Sequence, residues 1–272
     1  MPNDAEPLLA WAQQVGAHAV PLYAGLLLLL LLLCGTSWRL LRRYHVPREE
    51  SSLPPSLYLA VRLAGGFAVI VAAAWVFAEL AEALGADAGM GLADQALADS
   101  LRLHLPLAVA QAAAWLTVLA NTETLVAICV LVAAALVWRG RRWLALGWVL
   151  AVAGNGVLNT TLKQIFARVR PLHEDGLVMA QGYSFPSGHS SGSVVVYGML
   201  AYVLARFLPS RWHLPLVLAA AALAFSIGTS RVFLRVHFAS DVLAGFASGM
   251  AWLAVCIASV ELTKWYRPRN PG

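Results

Sequence analysis

The chain has 272 residues, of which 60% are hydrophobic and 12% charged, and its mean hydropathy is +0.70. A soluble domain carries roughly 25% charged residues, so the composition excludes an ordinary soluble globule and indicates an integral membrane protein. The formal net charge of +5 does not indicate a nucleic-acid partner, because most cations sit in short patches at the ends of apolar runs rather than along a groove.

Seven apolar segments predict membrane spans, at about 19–42, 57–85, 121–138, 142–162, 189–208, 213–230 and 239–262. The first contains the unbroken run Leu26 to Leu33. Asp4 and Glu6 precede it instead of a basic segment, and it ends in Arg39-Leu40-Leu41-Arg42-Arg43 instead of a small-residue cleavage site. That pattern predicts a retained span, not a cleaved signal peptide. Between the second and third spans, residues 86–120 carry Asp87, Asp94, Asp99, Arg102 and His104, then Leu105-Pro106 and an apolar stretch. This segment is expected to form external helices on the membrane surface or over the bundle. His104, beside Leu103 and Leu105, reads as an interface residue that could touch a substrate. Cys34, Cys129 and Cys256 lie in apolar runs and form no CxxC or Cys/His cluster, which argues against a disulfide framework or zinc site.

Four basic patches set the expected orientation. They are Arg39, Arg42, Arg43 and Arg48; Arg139, Arg141 and Arg142; Arg206 and Arg211; and Lys264, Arg267 and Arg269. Positive residues mark cytoplasmic loops. The N-terminus, the 86–120 segment, the 163–188 loop and the 231–238 turn are then expected outside. The fold class is all-α: a polytopic transmembrane helix bundle with six core spans, an extra N-terminal span and short external helices.

Three polar motifs interrupt the apolar second half, and the alternation of spans brings all three to one membrane face. The first supplies Lys163 and Arg170, seven positions apart and so about two helical turns if the helix continues; Arg168 between them reads as a spare. Pro171 disfavours further helix at Arg170. The second, Pro186-Ser187-Gly188-His189, reads as a helix start with Ser187 as N-cap. Gly188 would let a ligand approach the backbone, and the free N–H groups favour an anion. In the third, His237 and Asp241 share a face at the start of a span. A carboxylate there can hold one imidazole nitrogen and leave the other free to attack. Arg231 adds a guanidinium fork matched to phosphate. Snorkelling cations and an ordinary helix cap would account for the first two motifs singly. The His237/Asp241 pair has no such simple alternative, since an unpaired carboxylate at a span entrance costs up to a few kcal/mol.

Lys-x6-Arg-Pro, Pro-Ser-Gly-His and Ser-Arg-x5-His-x3-Asp, in this order, resemble the signature of the type 2 phosphatidic acid phosphatase (PAP2) family, whose superfamily includes vanadium haloperoxidases and glucose-6-phosphatase. Tyr183-Ser184-Phe185 and Asp241-Val242-Leu243-Ala244-Gly245 flank the motifs in a similar way. The resemblance implies a PAP2-like domain over 51–265, preceded by an N-terminal segment, span and basic loop over 1–50 and followed by a tail at 266–272. It implies His237 as the nucleophile that forms a phosphohistidine, Asp241 as its orienting partner and His189 as general acid. Lys163, Arg170 and Arg231 would hold phosphate oxygens, with Ser187 and the Gly188 N–H as further donors. No cofactor or metal is implied, and the sequence offers no obvious metal cluster. The family commonly has six spans, so the seventh is a departure.

The implied activity is hydrolysis of a membrane lipid phosphate or pyrophosphate, of the phosphatidic acid, phosphatidylglycerol phosphate or undecaprenyl pyrophosphate class. It would take place at the outer face of a bacterial inner membrane, with the lipid bilayer as the working environment. A phosphotransferase that passes the phosphoryl group to a sugar or lipid hydroxyl would use the same residues. A non-catalytic lipid carrier would need the cations but not the His237/Asp241 pair. Oligomeric state is not readable from the sequence.

Overall fold

A computed structural model describes residues 5–41, 55–86, 88–171 and 177–266, and these form a bundle of helices. Ten α-helices follow in chain order: α1 Ala5–Ala17, α2 Ala19–Leu41, α3 Pro55–Ala86, α4 Ala88–His104, α5 Leu107–Thr117, α6 Thr122–Trp138, α7 Arg142–Phe166, α8 Gly188–Ala205, α9 His213–Phe233 and α10 Ala239–Tyr266. Every backbone polar group in hydrocarbon must be satisfied within the protein, which is why an apolar chain of this kind takes up helix.

Five of these helices, α2, α3, α7, α9 and α10, are long and apolar enough to cross a membrane. Helix α6 has 17 residues, and α8 opens with the polar stretch Gly188-His189-Ser190-Ser191-Gly192-Ser193. The predicted spans at 121–138 and 189–208 therefore exist as helices of lower length or hydropathy. Helices α4 and α5 meet at Leu105-Pro106 with a bend of 118°. Pro106 cannot donate to the preceding turn, so the helix stops there and α5 starts in a new direction. Taken together the pair is long and apolar enough to form a sixth, broken span or a re-entrant loop, in place of the expected surface helices; α4 packs against α1 and α5 against α9. Helix α1 was not foreseen from the sequence. Asp87, Arg42, Arg43, Arg48, Arg267 and Arg269 lie outside the described residues, as does the 266–272 tail apart from its first position.

Packing around α8 organises the bundle, since it contacts α7, α9 and α10. Trp148, Ala151, Val195, Val196, Met199 and Val203 form the main core with Leu136 and Ala145, and Cys256 joins it. Cys129 packs against the same cluster, and Cys34 is half-buried. Close approach of α10 to α8 depends on missing side chains. A Cβ on Gly245 would stand 2.6 Å from the Ser187 carbonyl oxygen, and one on Gly249 would stand 2.9 Å from the Ser191 backbone. Glycines four apart let membrane helices come into backbone contact. By contrast, Leu26, Leu28, Leu29, Leu32 and Leu33 of α2 are more than half exposed, as expected of a surface facing lipid.

The two N-terminal helices are fastened at one point each. Gly16 of α1 meets Ser100 of α4 so closely that a Cβ would lie 2.5 Å from the serine Cβ, and Ser100 Oγ donates to the Gln13 carbonyl at 2.7 Å. On α2, Tyr23 Oη and Ser226 Oγ of α9 are 2.7 Å apart, with the tyrosine ring stacked on Phe225 at 5.8 Å.

Candidate active site

The C-termini of α7 and α9 and the N-termini of α8 and α10 lie at one end of the bundle. All the residues singled out from the three motifs are carried there: Lys163 and Arg170, Ser187, Gly188 and His189, Arg231, His237 and Asp241.

The first motif is built differently from the sequence expectation. Helix α7 runs to Phe166, so Lys163 sits in its last turn and not in the loop. Ala167 then adopts a left-handed conformation with φ 44°, and its N–H caps the Lys163 carbonyl. The chain leaves the helix there, so Lys163 and Arg170 do not share a helical face. The segment after the cap instead pairs with residues 181–184. Ser184 N–H donates to the Arg168 carbonyl at 2.8 Å, and Ser184 Oγ donates to the Val169 carbonyl at 3.0 Å. Lys163 Nζ donates to the Tyr183 carbonyl. Arg170 donates to the carbonyls of Gln181 and Gly182 at 3.0 Å, Tyr183 at 3.1 Å and Val236 at 2.7 Å. Phe185, fully buried, locks this loop against Phe166 and Phe77.

In the second motif Ser187 is the N-cap of α8, as expected, and its Oγ accepts from the Ser190 N–H at 3.4 Å. Pro186 lies before the cap, after a cis peptide, rather than inside the first turn. Ser187 N–H donates to the Asp241 carbonyl at 2.9 Å, which ties the start of α8 to the start of α10. Gly188 serves packing: a Cβ there would lie 2.9 Å from Asn159 Oδ1 on α7. His189 Nε2 lies 3.0 Å from Asn121 Oδ1. Asn121 is the N-cap residue of the turn into α6, and its side chain makes no cap bond, so it is available to the histidine.

The third motif is closed by its own backbone. The Arg231 carbonyl accepts the N–H groups of Val236 at 3.1 Å and His237 at 3.3 Å, and Arg235 takes up φ 55° to allow the turn. This places His237 ahead of α10. Asp241 is fully buried. Its Oδ2 accepts the Phe238 N–H at 3.0 Å, a backbone donor of the kind left free at a helix start, and lies 3.3 Å from His237 Nδ1. On the other side of the ring, Arg170 Nη1 is 3.0 Å from His237 Nε2. A guanidinium can only donate, so Nε2 presents its lone pair and Nδ1 carries the proton toward Asp241. Burial pushes His237 down to about 3, with Asp241 opposing the shift and Arg170 and Arg231 adding to it. The imidazole is therefore neutral at neutral pH. Burial also lowers Arg170 from its ordinary value. Arg231 is 3% exposed; its Nη1 donates to Thr117 Oγ1 at 2.8 Å, while its buried Nε has no partner.

Two further residues, Arg168 and Asp94, belong to this site. Arg168 is no spare cation, since Nη1 donates to Asp241 Oδ1 at 2.6 Å and to Ser240 Oγ at 2.7 Å. Its Nη2 donates to Asp94 Oδ2 at 2.9 Å. Asp94 comes from α4, in the segment whose charges were expected at the surface, yet it is 7% exposed. A sequence signal existed, because Asp94, Ala98 and Leu101 fall at i, i+4 and i+7 on one apolar face, and all three are buried. Four cations, Lys163, Arg168, Arg170 and Arg231, thus face two carboxylates, Asp94 and Asp241. The excess positive charge suits a multiply charged anion.

The sequence model of the PAP2 superfamily matches residues 142–265. The chain is 33% identical over 156 residues to phosphatidylglycerophosphatase B of Bacillus subtilis (strain 168), covering 57% of this chain and 76% of that protein. It is 30% identical over 127 residues to lipid A 1-phosphatase of Rhizobium johnstonii, covering 43% of this chain and 48% of that one. It is 32% identical over 128 residues to human dolichyldiphosphatase 1, covering 43% and 54%. Among solved structures, the crystal structure of a transmembrane PAP2 type phosphatidylglycerolphosphate phosphatase from Bacillus subtilis superposes with a TM-score of 0.68 at 31% identity, over 73% of this chain and 98% of that one. With the helical fold, these matches make the chain a multi-pass membrane protein of phosphatase type. It belongs to the PAP2 superfamily.

Proposed function

We propose that the protein hydrolyses a membrane lipid phosphate or pyrophosphate through a covalent phosphohistidine on His237. The observation that carries this reading is the polarised imidazole: Nδ1 directed at buried Asp241 and the Nε2 lone pair aimed into a cluster of cations. In the first step Nε2 forms a bond to phosphorus as the bond to the lipid oxygen breaks, and His189, protonated once the negative phosphate offsets the surrounding cations, gives its proton to that oxygen. In the second step water attacks phosphorus, the P–N bond breaks, and the water proton passes to His189. Positive charge that develops on the His237 ring is met by Asp241. Lys163, Arg170 and Arg231 hold the phosphoryl oxygens, with Ser187 and the Gly188 N–H beside them. Arg231 Nε, buried without a partner, is a donor ready for one oxygen. Arg170 exchanges its contact with Nε2 for a contact with phosphate. Preorganised positive charge of this kind supplies most of the catalysis in phosphoryl transfer.

The site would face the exterior of a bacterial inner membrane. Arg139, Arg141 and Arg142 between α6 and α7, and Arg206 and Arg211 between α8 and α9, stand at the opposite end of the bundle. The exposed Trp138, Trp143 and Trp212 accompany them, as in an interfacial aromatic belt, and the cluster of arginines marks that end as cytoplasmic. The decisive assay offers purified protein phosphatidic acid, phosphatidylglycerol phosphate and undecaprenyl pyrophosphate in the presence of EDTA, with phosphate release as the readout. Release from at least one is expected. Silence on all three, where a related phosphatase works, would sink the hydrolase reading, and transfer to an added alcohol without hydrolysis would favour a phosphotransferase.

A further inference from the structure

We propose that Asp94 and Arg168 are positioning residues that hold Asp241 against His237, linking the α4 segment to the chemistry through the chain Asp94–Arg168–Asp241–His237. The proposal rests on His237 acting as nucleophile. Asp241 has two carboxylate oxygens with distinct duties. Oδ2 serves His237 Nδ1 and the Phe238 N–H, and Oδ1 is taken by Arg168. With both oxygens engaged, the carboxylate cannot rotate away from the ring. Arg168 is itself held by the Asp94 carboxylate, Ser240 Oγ and the face of Phe238, whose centroid lies 4.3 Å from the guanidinium carbon. Asp94 is anchored by two further bonds, from Ser240 Oγ and from the Ser240 N–H at 3.4 Å. The side chains of Arg168, Asp94 and Asp241 are 14%, 7% and 0% exposed, so water screens these interactions little.

The charges have opposite expected effects on His237. Arg168 draws negative charge from Asp241 and disfavours a cationic ring, while Asp94 offsets Arg168 and restores the field that stabilises one. Other charged groups around the ring are Asp241 of α10, Arg170 after α7 and Arg231 of α9, with Lys163 of α7 and His189 of α8 within electrostatic reach of the same cluster. On neighbouring elements, Glu6 of α1, Glu79 and Glu82 of α3, and Asp99, Arg102 and His104 of α4 are partly or fully exposed to solvent.

The test measures kcat, KM and the pH profile of kcat for Asp94→Asn, Arg168→Gln and Arg168→Lys in the full-length protein, on whichever lipid phosphate the wild type hydrolyses. Positioning partners of this kind typically contribute 10–100-fold, so kcat is expected to fall by about that much in each variant while KM stays within about threefold. The acid limb should move to lower pH in Asp94→Asn and to higher pH in Arg168→Gln. In Arg168→Lys, which keeps the charge and loses the fork, the limb should stay with the wild type. A purely structural role would lower activity without opposed pH shifts, and that result overturns the proposal. If Arg168→Gln does not elute as a monodisperse protein, the other two decide: wild-type kcat in Arg168→Lys, or an unmoved limb in Asp94→Asn, overturns it equally. A wild type inactive on every lipid tested refutes the functional reading, whereas an active wild type with unaffected variants refutes the relay alone.

Discussion

At the scale of single residues, His237 is set apart by having both ring nitrogens assigned by its neighbours. Asp241 receives Nδ1–H and Arg170 faces Nε2. His237→Ala should therefore abolish turnover, with a loss of about 10⁴-fold or more as for other nucleophile deletions, and phosphate release is the measurement. His189→Ala removes the proton donor and should slow turnover by about 10²–10⁴-fold. A stability consequence also follows from burial. The folded state holds His237 at about 3, below its unfolded value of about 6.5, so the unfolded chain takes up the proton first. The stability contributed by the neutral ring is complete above pH 6.5 and declines as pH falls toward 3. His237→Gln should accordingly show a shallower acid decline in thermal midpoint than the wild type, and parallel curves would contradict the burial argument. Residue identity was readable for the motifs because their chemistry is costly in an apolar chain. Arg168 and Asn121 were not readable, because their partners, Asp94 with Asp241 and His189, come from elements distant in sequence.

At the scale of elements, spacing located the helices well but misjudged how they end. Lys163 and Arg170 suggested one continuous helical face, yet Ala167 turns the chain at φ 44° and a two-segment pairing with residues 181–184 does the positioning. Nothing in the local sequence marks Ala167 as strongly as a glycine would, since the left-handed cap is usually glycine. Likewise Gly188 looked like room for a ligand, whereas the space is filled by Asn159. The α8–α10 contact gives a direct test. Gly245→Ala would drive a methyl toward the Ser187 carbonyl oxygen, 2.6 Å from the ideal Cβ. Overpacking of this sort costs about 1–3 kcal/mol, and because Ser187 starts α8 the change should also lower kcat. Gly156→Ala on α7, where nothing lies within 4 Å, should be neutral or stabilising by about 1 kcal/mol. Thermal unfolding of the two variants in one detergent makes the comparison.

On the scale of the whole molecule, α1 packs on α4, and α4 reaches the site through Asp94. The sequence indicated an extra leucine-rich span and polar external helices, but it could not show that α1 rests on α4 or that α4 supplies a buried carboxylate. Those contacts join residues 74 to 146 positions apart; the spacing of Asp94, Ala98 and Leu101 marks a buried face, but no local periodicity names what that face meets. Orientation belongs to this scale as well. Single cysteines at Met179 in the site loop, 85% exposed, and at Arg141 at the opposite end should label from opposite sides of the membrane, with Met179→Cys reactive from outside. Reaction of both from one side would contradict the bundle topology.

Covalent transfer to His237 is open to a direct test by trapping the intermediate. Wild-type and His189→Ala protein are each mixed with a lipid phosphate labelled with ³²P in the scissile group, quenched in alkali during turnover and digested. A base-stable, acid-labile label is expected on the peptide that contains His237, and no label when His237→Ala is added to the same protein. A wild type that hydrolyses the lipid while no labelled peptide forms, or a label on a peptide without His237, would contradict it.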